Sequence, residues 1–158
     1  MAISSRMKFE EVVEWPQNGS DGNDACAIEL VTVTNNAAAA LTAGSAVILK
    51  KASITLDTLS VNTTVSTDDL EVCGMAYEAI AVSGVGRMQI FGPTTTLHAD
   101  GNTDTALGSH MGTITPAGCS AVSTTAHARF ATALEIYATN DALGVVDAFI
   151  LARNLRGW

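Results

Sequence analysis

The sequence predicts an all-β fold, a small β-barrel or β-sandwich with an extended N-terminal arm. Three observations predict it. From Ala27 onward short runs of β-branched and apolar residues alternate with Gly, Asn, Asp and Thr, the punctuation of tight turns. Helix signals are sparse over the same stretch. The apolar mass is Ala, Val, Ile and Leu, because hydrophobic residues make up 47% of the chain and aromatics only 5%. A core of small side chains follows from that composition.

The first 25 residues differ from the rest, so the chain divides into an arm over residues 1–25 and a single β domain over residues 26–158. Within the arm, Phe9, Val12, Val13 and Trp15 stand among Glu10, Glu11 and Glu14, a pattern open to a short helix or an extended strand. Pro16 to Asp24 is a loop. Met1 to Glu10 carries Arg6 and Lys8 without an apolar h-region, so no secretory signal is read there.

Residues 28–34 are dense in β-branched side chains and read as a strand. Residues 46–49 and 53–56 are two more, separated by Lys50 and Lys51, which suit an exposed edge where charge discourages unwanted pairing. The alanine run 37–40 is too short to sustain a helix and reads as a loop. Residues 71–81 and 87–91 flank Ser83-Gly-Val-Gly86, whose permissive backbone predicts a hairpin. The strand over 87–91 is expected to end at Gly92-Pro93, and 94–125, with its recurrent glycines, to form turns and short strands.

Residues 129–138 and 144–152 form the other predicted pair, joined by a turn at 139–142. Phe130, Ala133, Leu134 and Tyr137 also fit one helical face, but the β-branched and aromatic run 145–151 favours strands. Leu41-Thr-Ala-Gly-Ser-Ala-Val-Ile48 and Ala106-Leu-Gly-Ser-His-Met111 share a Gly-Ser after small or apolar residues. A repeated turn into a strand would produce that echo, but chance in a chain of this composition is its expected cause.

A net charge of −8 with scattered Lys and Arg excludes nucleic acid as a partner and disfavours anionic membranes. No apolar run reaches the roughly 18 residues a membrane helix needs. Charged residues are only 15% of the chain. A surface of Ser, Thr, Asn, Gly and Ala suits close packing against other protein, since few charges need desolvating.

No enzyme is expected. The chain lacks a Gly-x-Ser-x-Gly elbow, and Ser83-Gly-Val-Gly86 serves a turn. His98, Asp100 and Asp104 read as a solvated turn rather than metal ligands, and His110 and His127 have no ligand-spaced neighbours. Asp57, Asp68, Asp69 and Glu71 match no calcium loop. Cys26, Cys73 and Cys119, odd in number and widely spaced, read as buried thiols. No catalytic, cofactor-binding or metal site is therefore assigned, and no cofactor is expected.

Thr42-Ala-Gly-Ser-Ala-Val-Ile48, Val72-Cys-Gly-Met-Ala-Tyr77, Gly86-Arg-Met-Gln-Ile-Phe-Gly92 and Phe130-Ala-Thr-Ala-Leu-Glu-Ile136 fall in an order that resembles the tailed-phage capsid decoration, or cement, proteins. The resemblance spans residues 41–153 and leaves the arm aside. It implies a β body that binds the outer surface of a phage head and stabilises it against genome pressure. Its partner would be the major capsid protein, and its place the virion, after synthesis in the bacterial host cytoplasm. A homo-oligomer, a trimer foremost, would match a capsid symmetry axis. On that reading Met7, Phe9, Val12, Val13 and Trp15 contact the capsid or a neighbouring subunit. Two other readings stand beside it: a tail or fibre domain, which would share the Thr-, Ala- and Gly-rich composition, and a small carbohydrate- or ligand-binding β module with Trp15, Tyr77, Tyr137 and Trp158 as its platforms.

Overall fold

The alternation of small apolar and polar residues produces strands that bury one face, and here they close on themselves. The computed structural model describes residues 9–14, 27–50, 59–64, 67, 70–100, 104–114, 118–123, 129–137 and 143–152. The strands are β1 (Phe9–Glu14), β2 (Ala27–Asn35), β3 (Ala46–Leu49), β4 (Leu59–Thr63), β5 (Val72–Ala76), β6 (Val85–Ala99), β7 (His110–Ile114), β8 (Cys119–Val122), β9 (Ala131–Ala133) and β10 (Gly144–Leu151). The expected strand at 53–56 and the turn at 139–142 lie outside the described residues.

β2 pairs in parallel with β4, and β4–β3, β3–β5, β5–β6 and β6–β2 are all antiparallel, which closes a five-stranded barrel. Its interior holds Val31, Val33, Leu41, Val47, Leu49, Val61, Cys73, Ile80 and Met88. Closure leaves no exposed edge among these strands. The expected hairpin joins β5 to β6, with Met75 opposite Gln89 and Ala76 opposite Met88. At its turn the left-handed conformation falls on Ser83, with φ of 58°, while Gly84 N–H donates to the Ala81 carbonyl at 2.9 Å.

The same ring then recurs. The C-terminal half of β6 takes the part of β2, and β7, β8, β9 and β10 take the parts of β3, β4, β5 and the first half of β6. The registers agree pair by pair: Val33↔Gly86 is answered by Leu97↔Val146, Leu49↔Val61 by Thr113↔Ser120, Val47↔Gly74 by Met111↔Ala131, and Ala76↔Met88 by Ala133↔Ala148. Even the parallel seam recurs, Asn35↔Val61 by Ala99↔Ser120. The isolated bridges Leu41↔Ile80 and Thr105↔Tyr137 match as well.

The echo at 41–48 and 106–111 is thus a correction to the sequence reading: it marks equivalent turns of a tandem repeat. In both, the serine after the glycine closes the turn, Ser45 N–H to Thr42 and Ser109 N–H to Ala106. Gly44 and Gly108 stand at φ of 88° and 81°, a region that favours glycine.

β6 is the second correction. It does not stop at Gly92-Pro93 but runs 15 residues to Ala99, serving both rings. Gly92, at φ of 101°, turns the strand from its β2 and β5 neighbours toward β10. The buried side chain of Gln89 donates from Nε2 to the carbonyls of Gly92 and Pro93, both at 2.9 Å.

Sharing β6 presses the two rings together. β3 and β5 are buried on both faces: Val47, Leu49 and Cys73 point into the first ring, while Ala46, Ile48, Val72 and Met75 pack with Leu97, Met111, Phe130, Val146 and Ile150 of the second. Each fully buried Ile, Leu, Val or Met side chain contributes roughly 1.5–3 kcal/mol, so the contact between the rings is a true core.

Of the expected pair 129–138 and 144–152, Ala131, Thr132 and Ala133 of β9 pair with Ile150, Phe149 and Ala148 of β10, so the pairing is present but β9 is only three residues long. Leu134 is exposed, which a buried helical face at 130, 133, 134 and 137 would not allow. Lys50 does not line an open edge: its Nζ donates to the Asn36 side chain at 3.0 Å.

Candidate binding surface

Where the sequence offered groups for chemistry, the fold disperses them. His98 lies half-buried in β6 opposite Val145, and its N–H donates to the Gly44 carbonyl. Asp100 is buried just beyond, its N–H donating to Ser120, and Asp104 is exposed before β7. Among the described residues, no three His, Cys, Asp or Glu side chains gather where they could hold one ion. Asp57, Asp68, Asp69 and His127 lie outside the described residues. Cys73 is a buried free thiol inside the first ring; Cys26 lies outside the described residues.

The arm residues fall partly in β1, which pairs antiparallel with β2 from Phe9↔Val31 to Glu14↔Ala27. The segment that read as helix or strand is therefore a strand, hydrogen-bonded to the body. For Phe9, Val12 and Val13 only this backbone register is described; Met7 and Trp15 lie outside the described residues. Of the aromatic platforms, Tyr77 is covered by the Arg87 guanidinium 5.2 Å above its ring, and Tyr137 packs against the core of the second ring. Trp15 and Trp158 lie outside the described residues.

What the fold does assemble is an apolar surface at one end of the second ring. Leu107, Leu134, Ile136, Leu143 and Val145 are all exposed there, Ile136 at 73% and Leu107 at 67%. Backbone bonds bring them together. Gly108 N–H donates to the Ala133 carbonyl, Leu134 N–H to Asp147, and Thr105 and Tyr137 exchange bonds. Tyr137 in turn lies against Gly144, between Leu143 and Val145.

The repeat supplies the comparison. At the equivalent positions the first ring carries Ala43, Tyr77, Ala79, Ser83 and Val85. Only the Val85 and Val145 pair is alike. Both rings use the same carboxylate device beside this surface: Glu78 accepts the Arg87 backbone N–H at 3.0 Å, and Glu135 accepts that of Asp147 at 2.8 Å. In the first ring the Arg87 side chain also pairs with Glu78, at 3.1 Å, and this hydrogen-bonded guanidinium holds the Glu78 carboxyl below its usual pKa. In the second ring an aspartate replaces the arginine. Glu135 and Asp147 thus form an acidic rim that no ion pair to a Lys or Arg is seen to neutralise among the described residues.

Sequence reasoning did not read this surface: Leu134 and Tyr137 entered it only as members of a helical face that the strand reading displaced, and Tyr137 as an aromatic platform. The available signal was the pair Ala76-Tyr-Glu-Ala-Ile80 and Ala133-Leu-Glu-Ile-Tyr137, which share Ala and Glu at matching places before a strand.

No family model and no curated protein matches the chain. Among solved structures, the N base of the head fibre protein gp8.5 of bacteriophage phi29 is similar, with a TM-score of 0.52, 14% identity, and coverage of 77% of this chain and 93% of that one. At this level of identity the likeness is one of fold: the closed β-barrel with additional strands is an architecture that a phage head fibre base also uses.

Proposed function

We propose that the chain is a structural component of a phage particle, a decoration protein that binds the outer surface of the head and stabilises it, and not an enzyme. The observation that carries the proposal is the fold shared with the head fibre base of phage phi29. The resemblance read from the sequence points to the same setting independently. A surface poor in charge and an exposed apolar end suit attachment to protein rather than to nucleic acid or lipid.

Attachment through many copies multiplies a modest contact into a stable one, particularly if subunits form an oligomer, a trimer foremost, matched to a capsid axis. The arm residues Met7, Phe9, Val12, Val13 and Trp15 remain proposed contacts to the major capsid protein or to a neighbouring subunit, with β1 as their root on the body.

A second reading is favoured by the same solved structure: a base that mounts a fibre. Quantitative mass spectrometry of purified particles separates the two. Decoration predicts copies in near-stoichiometric ratio to the major capsid protein. A few copies per particle would replace it with a fibre or tail part, and absence from particles would refute both.

A further inference from the structure

The repeat shows what each turn equivalent to 106–109 is able to receive. In the first ring the turn is covered by the second half of β6: His98 N–H donates to the Gly44 carbonyl at 3.0 Å, and a Cβ on Gly44 would collide with the Thr96 carbonyl oxygen. An extended chain therefore lies directly across that turn. In the second ring Gly108 has a similar φ and the same hydrogen bond to the strand beneath it, yet among the described residues nothing stands within 4 Å of where its Cβ would be.

The open turn sits within the apolar surface of Leu107, Leu134, Ile136 and Leu143. The fold itself does not require these side chains, since Ala43, Tyr77, Ala79 and Ser83 serve the same backbone in the first ring. Their exposure is thus a property of the surface and not of the barrel. The rim settles the sign of the partner. Glu135 and Asp147 would repel an identical acidic surface and attract Lys or Arg.

We infer that this end of the second ring docks an extended segment of another protein, apolar in the middle and carrying at least one Lys or Arg that faces Glu135 and Asp147. The inference rests on the decoration reading, under which the segment belongs to the head shell. The segment lies across Gly108 as β6 lies across Gly44, and its basic side chain occupies the place that Arg87 holds beside Glu78.

The test measures binding of the full chain to purified heads that lack it, by co-sedimentation over a range of salt. The variants are Leu134→Asp/Ile136→Asp on the second ring, Val82→Asp on the first, and Asp147→Arg. The last recreates the Glu78–Arg87 pairing beside Glu135, so the fold already tolerates a cation there. Circular dichroism confirms that each variant is folded.

The expected result is a loss of about 100-fold for the double variant and about tenfold for Asp147→Arg, with a shallower salt dependence, while Val82→Asp binds as the parent does. Parent-like binding by both second-ring variants would overturn this inference and leave the decoration reading standing. Failure of the parent chain itself to bind heads would overturn both. Sedimentation velocity adds a third arm: if the parent self-associates and the double variant does not, a second copy occupies the surface and the inference is overturned.

Discussion

The side-chain amide of Gln89 donates to the carbonyl oxygen of Gly92, three residues on, at 2.9 Å, and by this bond β6 changes neighbours without breaking. The amide also reaches the Pro93 carbonyl at 2.9 Å, so a single buried side chain satisfies two backbone acceptors at the bend. The half of β6 beyond Gly92 and the strands β7 to β10 form the second ring. The relation of the two rings therefore depends on the bend.

Replacing Gln89 with Leu preserves much of the volume and removes both donors. Leaving buried carbonyls unmet costs about 1–3 kcal/mol for each group, so Gln89→Leu should lose about 3 kcal/mol in urea unfolding. The transition should stay single, because β3 and β5 are buried in both rings. A loss below about 0.5 kcal/mol would mean the bend does not need the amide.

Gly44 and Gly108 form a matched pair in which backbone conformation is the same and crowding is not. Gly44→Ala drives a methyl into the Thr96 carbonyl and should cost at least about 3 kcal/mol, whereas Gly108→Ala carries only the left-handed strain of about 1–2 kcal/mol. Thermal melts of the two variants compare them directly. Equal losses would contradict the claim that the first turn is covered and the second open.

Burial in β6 holds the His98 imidazole below its ordinary pKa of 6.5. The unfolded chain therefore takes up the proton first as the pH falls. Stability from this residue is unaffected at high pH, declines as pH drops below the unfolded value of about 6.5, and levels off beneath the folded pKa. His98→Asn should flatten the decline in Tm between pH 7 and pH 5.5. An unchanged slope would show that another group sets it.

Residues 1–25 contribute β1 to the edge of β2, but the first ring closes through β4 and β6 without it. Deleting them should leave a cooperatively folding body and weaken attachment to heads. Unchanged affinity for heads would remove the arm from the interface. Loss of folding would show that β1 completes the first ring's core rather than trimming its edge.

The sequence made the strand class legible because its signals are local: β-branched density at 28–34, the hairpin into residues 87–91, and the pairing of 129–138 with 144–152. What it hid was non-local. Gly92-Pro93 reads as a stop, and only a donor placed three residues earlier turns it into a bend. The repeat was visible as a faint echo, but small residues recur often in this composition, and the decisive agreement lies in register, which a single chain does not display. The exposed leucines of the second ring were unreadable for a related reason. Strand period fixes which faces alternate, yet the residues that leave the strand at 134–136 follow no period.

The measurement that tests the central claim most directly is a cryo-electron microscopy reconstruction of purified particles, at a resolution that distinguishes two small barrels joined by one strand. The account predicts such density on the outside of the head at regularly repeated lattice sites, with the end of the second ring turned toward the shell. Density of this shape confined to the tail, or none on the particle, would contradict it.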